Sequence, residues 1–240
     1  YDVESSDKGY EEFVQITGFG LAPVKAQGAP AVYDSETQGP VTRAVHVSYA
    51  LGYIVTHEEL SDNQYMEVSA NRARSNARAF RQTKERVAAA NFNRATNASY
   101  TWADGKTMLA TDHPNTSGGT FSNKLSVAAD LSEASLEDLC IQIMQATDDR
   151  GMLINLMPQS LHVAPANWFE ATRILNTTLQ VGTANNDINA IKALGIFPKG
   201  VKMNHYFTVP KQWFVRTNIE RGKGLVFLQR EEMSFERDND

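Results

Sequence analysis

The sequence predicts an α+β protein: strands first, then one long helix, then short helices and strands in alternation. Three observations carry this. Residues 41–55 alternate apolar and polar with a period of two. Residues 64–95 hold small and apolar groups at three-four spacing, uninterrupted by Pro or Gly. Beyond residue 130, helical stretches with start and stop signals alternate with short apolar runs. The 240 residues suffice for one or two domains. A composition of 42% hydrophobic and 21% charged residues is globular and excludes disordered or collagen-like chains. A chain this long can bury roughly three-quarters of its unfolded surface.

The elements follow in order. Residues 1–12, YDVESSDKGYEE, lack periodicity and read as an exposed arm. Residues 13–21, FVQITGFGL, read as a short strand, and 22–40, with Pro23, Pro30, Pro40 and two glycines, as a loop. Then Val41, Val45, Val47, Tyr49, Leu51, Tyr53 and Val55 alternate with Thr42, Ala44, His46, Ser48, Gly52 and Ile54; Arg43 alone breaks the apolar side. That is a strand of roughly 50 Å, far longer than the usual five or six residues. Its nearby partner is 13–21, so the two form a long ribbon. A two-stranded ribbon is marginal alone in water. Its apolar stripe must lie on a neighbouring subunit or on its own domain.

Thr56 and Glu59 match a capping box before a short helix. The long helix 64–95 spans about 48 Å, with Met66, Ala70, Ala73, Ala77, Phe80, Val87 and Asn91 at three-four spacing on one stripe and Lys84 as an exception. Residues 97–130 read as turns, with Asp112-His113-Pro114 and Ser117-Gly118-Gly119 among them. A helix over 132–147, capped by Asp130 or Ser132, points Leu136, Leu139, Ile143 and Met144 inward. Strands are expected at 152–156 and 160–163, then a Pro165-started helix carrying Trp168, Phe169, Ile174 and Leu175. A loop over 182–189, a short helical turn at 191–194 and strands near 201–208, 212–217 and 225–229 complete the chain. The tail MSFERDND begins as a strand and ends in charge; with Tyr1 at the other end, the sequence reads as part of a longer gene product.

Net charge is −5, but its distribution says more. Residues 64–95 carry seven basic and two acidic side chains, and the remaining chain is strongly acidic. One basic helix on an acidic body points to a polyanion or an acidic partner, or to a solvated face paired with acids of its own chain. No catalytic motif accompanies it. The five histidines are scattered without ligand spacing, so no metal or cofactor is expected. Cys140, the single cysteine, reads as a buried inert thiol in mid-helix. Asp112-His113 reads as a turn, and Asp148-Asp149 as a solvated helix end. No run of 18 apolar residues is present.

Several segments resemble one family. GFGLAPVKAQGAPAVYDSETQGPVTRAVHVSYALGYIVT (18–56), RQTKERVAAANFNRA (81–95), ATDHP (110–114), LSEASLEDL (131–139), DDRGM (148–152) and GTANNDINAI (182–191) look like segments of tailed-bacteriophage major capsid proteins with the Hong Kong 97-type (Johnson) fold. Their order covers about residues 8–236. The resemblance implies an N-terminal arm (1–12), an extended β-hairpin loop (13–56), a peripheral domain with a long spine helix (57–130 and 225–240) and an axial α/β domain (131–224). It implies a non-enzymatic subunit whose hexamers and pentamers close an icosahedral shell around double-stranded DNA. The shell would assemble in the host bacterial cytoplasm, with scaffolding, portal and cement proteins as further partners and no membrane.

Val24, Lys25, Tyr33, Arg43, Val45, Val47 and Tyr49 would then make intersubunit contacts. Arg72, Arg74, Arg78, Arg81 and Arg86 would face DNA or an acidic neighbour. Some relatives cross-link a loop Lys to an Asn; Lys25 is the only Lys in this loop, and no Asn or carboxylate matches. The alternatives are an encapsulin-type compartment shell, a cytosolic enzyme assembled around Asp112, His113 and Cys140, and a nucleic-acid-binding module using helix 64–95.

Overall fold

The computed structural model describes residues 1–62, 66–180 and 187–236. Its strands are β1 (Asp2–Ser5), β2 (Tyr10–Ile16), β3 (Gln38–Val45), β4 (His113–Pro114), β5 (Thr120–Phe121), β6 (Pro158–Val163), β7 (Val201–Met203), β8 (Trp213–Thr217) and β9 (Val226–Gln229). Its helices are α1 (His57–Ser61), α2 (Met66–Asn93), α3 (Glu133–Met144), α4 (Trp168–Asn176) and α5 (Ala190–Leu194). The fold is α+β, as expected.

β6 is the centre of a three-stranded sheet, parallel to β7 and antiparallel to β8. Leu161 and Val163 of β6 pack with Leu136 and Cys140 of α3, Ala171 and Ile174 of α4, Ile191 of α5 and Phe197. Ser132 caps α3 in a reciprocal pair with Ser135. The fully buried Asn189 caps α5 and also donates to the carbonyl of Ile174, so one side chain fastens α5 to α4. A second core joins the end of α2 to the sheet through Ala89, Phe92, Ala95, Ala164, Phe207 and Phe214. Asn93 supports it as a strand would: its amide donates to Tyr206 O (2.9 Å), and its carbonyl accepts from Thr208 N (2.9 Å).

The structure corrects several expectations. The first residues are not an exposed arm. β1 pairs in parallel with β9, and Tyr1 lays its ring edge-on to Phe92 and donates to Ala88 O. The ribbon is β2 against β3, shorter at its base than the alternation implied. Its last rung is His46 N to Gly9 O. There the partner chain turns away to join β9, and residues 47–56 keep the alternation without the hydrogen bonds that make a strand. The stripe on α2 runs through Ala73, Ala77 and Phe80, then shifts to Ala89 and Phe92; Ala70, Val87 and Asn91 are exposed. The side chain of Met66 and residues 63–65 lie outside the described set.

No strand forms over 152–156, where Gly151 (φ 79°) and Asn155 (φ 53°) take left-handed conformations that break an extended run; one bridge, Thr147 to Leu153, remains. Met144, Trp168 and Phe169 are exposed. β7 ends at Met203, where the chain turns toward Asn93. Residues 233–236 are not strand. The expected loop at 182–189 lies mostly outside the described residues, as does the tail beyond 236.

Candidate interaction surfaces on the ribbon and the long helix

The ribbon's two faces follow from its register. Tyr10, Glu12 and Val14 stand opposite Val45, Arg43 and Val41, so all six share one side. That side is open to solvent, as are Val47, Tyr49 and Leu51 beyond it. Arg43, the one interruption of the apolar stripe, ion-pairs with Glu12 (2.6 Å) and lies 4.5 Å over the Tyr10 ring. The face is therefore apolar with one closed ion pair. At the base, buried Ser6 donates to Glu11 (2.8 Å) and meets His46 Nε2 (3.1 Å), while Lys8 pairs with Glu11. Hydrogen bonds from Ser6 and Lys8 hold the Glu11 carboxyl below its ordinary pKa.

The far half of the ribbon is propped by its own chain. Asp149 accepts from Gln15 Nε2 (2.8 Å) through its carboxylate and from Ser117 Oγ through its carbonyl. Arg150 reaches Asp34 (2.6 Å) and the carbonyl of Ser35 (2.5 Å). Asp34 also accepts from Gly20 N (2.8 Å). That N–H, Arg150 and Ser35 N hold its carboxyl at about 2. Gly39 permits the close approach here: a Cβ would sit 2.9 Å from Thr116 Oγ1, which would have to shift. Asp148 closes the turn by accepting from Arg150 N and Met152 N. The Asp148-Asp149 pair, read from sequence as a solvated helix end, thus shapes the prop and carries it.

Past the prop, residues 21–33 project freely. Leu21 is 84% exposed, Val24 100%, Val32 75% and Tyr33 93%. Four large apolar groups are thus left in solvent along one tip. Of the residues expected to touch a neighbour, Val24, Lys25 and Tyr33 are on this tip, Arg43 and Val45 on the ribbon, and Val47 and Tyr49 just beyond it.

The basic side chains of α2 divide into two groups. Arg72 forms a two-pronged ion pair with Glu59 (2.9 Å each) and donates to Ile54 O, and Asn76 donates to Leu51 O; together they hold 51–59 on the helix. Lys84 lies over Phe227 (4.6 Å), and Arg94 over Tyr100 (4.2 Å). Arg74, Arg78 and Arg81 stand on the solvent face, and Arg86 is also exposed. Among the described residues Arg74 meets only Asn71. Among the described residues none of these four has an acidic partner.

Nothing resembling an active site gathers the enzyme candidates. Asp112 is tied to Lys106. His113 is 6% exposed, bound to Asp104 (2.5 Å) and stacked on Phe121. Cys140 belongs to the separate core around β6, where burial pushes its thiol up to about 11. Among the described residues no group of three or more His, Cys, Asp or Glu could hold a metal, and no helix is long and apolar enough to cross a membrane.

The model of the phage capsid protein family matches residues 40–240, and the chain belongs to that family. Among solved structures, the bacteriophage JBD30 capsid is similar, with a TM-score of 0.65 and 10% identity over 86% of this chain and 89% of that one. The capsid of bacteriophage JBD30 decorated with minor capsid protein trimers gives 0.61 and 12% over 86% and 88%. At these identities the likeness is one of fold. No curated protein matches the chain. The resemblance to tailed-phage major capsid proteins read from the sequence is borne out: the chain is a structural protein of the phage virion.

Proposed function

We propose that this chain is the subunit from which hexamers and pentamers close an icosahedral shell around double-stranded phage DNA, in the Hong Kong 97-type arrangement. In this reading 13–56 is the extended loop, 57–130 with 225–240 the peripheral domain, and 131–224 the axial domain. The carrying observation is the arm: an apolar ribbon face and an apolar tip that its own chain props but does not cover. The tip and the face of Val41, Val45 and Val47 lie on the adjacent subunit. Repeated around a ring, that heterologous contact closes when the rotation closes.

The refinement over the sequence is where the arm is free. Residues 10–17 and 37–45 are held in place within the chain, and 21–33 do the reaching. The test is deletion of residues 22–32 with a short Gly-Ser link. The variant should stay soluble and keep its melting temperature within a few degrees, yet yield no closed particles by negative-stain electron microscopy under conditions where the parent forms shells of tens of nanometres. Normal shells from the deletion would overturn the assignment of the tip. Particles that enclose protein cargo instead of DNA would favour the compartment-shell alternative.

A further inference from the structure

We infer that the solvent face of α2 formed by Arg74, Arg78 and Arg81 is a binding surface for the phosphates of duplex DNA; this rests on the shell reading above. The three side chains recur at four- and three-residue spacing, so they share one edge of the helix and span about 10 Å. One strand of a duplex presents a phosphate about every 3.4 Å along the axis, so about three phosphates lie within reach. Lys8, Arg43, Arg72, Lys106, Arg150, Arg173, Lys211 and Lys223 each meet a carboxylate, whereas these three arginines stand together on one helix edge and meet none among the described residues. Among the described residues the α2 face carries one carboxylate, Glu85, against the three arginines, and none of the three is paired with it.

Two features select duplex DNA over the other polyanions. The face has no aromatic side chain among the arginines, so it offers no stacking platform for single-stranded bases. Arg-to-phosphate contacts need no base sequence, as a packaged genome requires. An acidic second copy fits less well. The free tip, 21–33, holds Lys25 and no carboxylate, and nearby Asp34 is already taken by Arg150. The part of the arm that reaches a neighbour therefore brings no acid to this face.

The experiment compares the full chain with R74Q/R78Q/R81Q and with K199Q/K211Q/K223Q, which removes the same charge from exposed positions elsewhere. Binding to a mixed-sequence duplex of about 30 base pairs is followed by fluorescence anisotropy from roughly 50 to 200 mM salt. At about 0.9 per phosphate contact, the arginine variant should lose about 2.7 from the slope of log K against log salt. The lysine variant should keep the parent's slope. Melting curves check that both variants are folded, and electron microscopy of each scores shell formation separately.

An unchanged slope in the arginine variant, or an equal loss in the lysine variant, would overturn the inference. Shells lost in the arginine variant with its slope intact would assign the face to a second copy instead. If the parent forms no shells, the shell reading fails, and the slopes still decide the arginine face.

Discussion

β3 and β6 are strands of one chain with opposite fates. Both carry apolar groups in a strand pattern. In β6 those groups are enclosed: β7 and β8 flank the strand, and α3 and α4 pack against the sheet. In β3 they face solvent, and the polar or small neighbours Thr42 and Ala44 are the better covered. Periodicity marks which side of a strand is apolar. It does not say whether the same chain supplies the cover. The body buries its own apolar groups, and the arm leaves its apolar face open.

Four expectations press on this difference. The largest effect belongs to the enclosed strand. Leu161→Ala should cost about 2–5 kcal/mol, read as a lowered denaturant midpoint at constant m-value. A loss below about 1 kcal/mol would mean that the β6 core is loosely packed.

His162, on the same strand, comes next. Burial, helped by the positive charge of Arg216, lowers its pKa to about 4. The unfolded chain takes up this proton below about 6.5 and the folded chain only near 4, so stability is complete above 6.5 and falls as pH drops toward 4. The loss should be of order 3 kcal/mol, and His162→Gln should flatten that part of the pH profile. A slope unchanged by the substitution would place the titration elsewhere.

On the arm the signs reverse. Val45→Ala should change monomer stability by less than about 0.5 kcal/mol, because the side chain is already exposed, while reducing particle yield. Equal losses in both assays would mean that the face is covered within its own chain.

The smallest effect on folding is expected at the prop. Arg150→Ala should leave the melting temperature nearly unchanged and speed amide exchange at Gly20 and Ser35. Asp34, whose carboxyl is held at about 2, should titrate closer to the ordinary 3.8 in that variant. Because its folded pKa is depressed, the prop holds above about 3.8 and weakens as pH falls toward 2. A titration midpoint unmoved by the substitution would show that Gly20 N–H, and not Arg150, sets it.

The legible parts of this protein were local ones. The capping residues Thr56 and Ser132 are where their side-chain chemistry put them. The long helix was visible because no Pro or Gly interrupts it, and the buried state of Cys140 because its neighbours in mid-helix are apolar. The parts that were not legible depend on distant partners. Asp149 and Arg150 gave only a turn signal, yet their contacts lie more than a hundred residues away, on Gln15 and Asp34. Asn93 had no signal as the support for residues 206–208. Residues 47–56 had the alternation of a strand and lacked only the partner.

By itself, then, the sequence determined where the long helix and the capped helices begin, which side of the ribbon is apolar and where the positive charge collects, because those properties depend on neighbours within a turn or two residues of strand. Only the tertiary structure decided that β1 lies on β9, that Arg72 is spent on Glu59 while Arg74, Arg78 and Arg81 are not, and that the arm is propped at its middle and bare at its tip. Those outcomes depend on which hydrogen-bonding and charged groups meet across the chain, and that is set when the body packs.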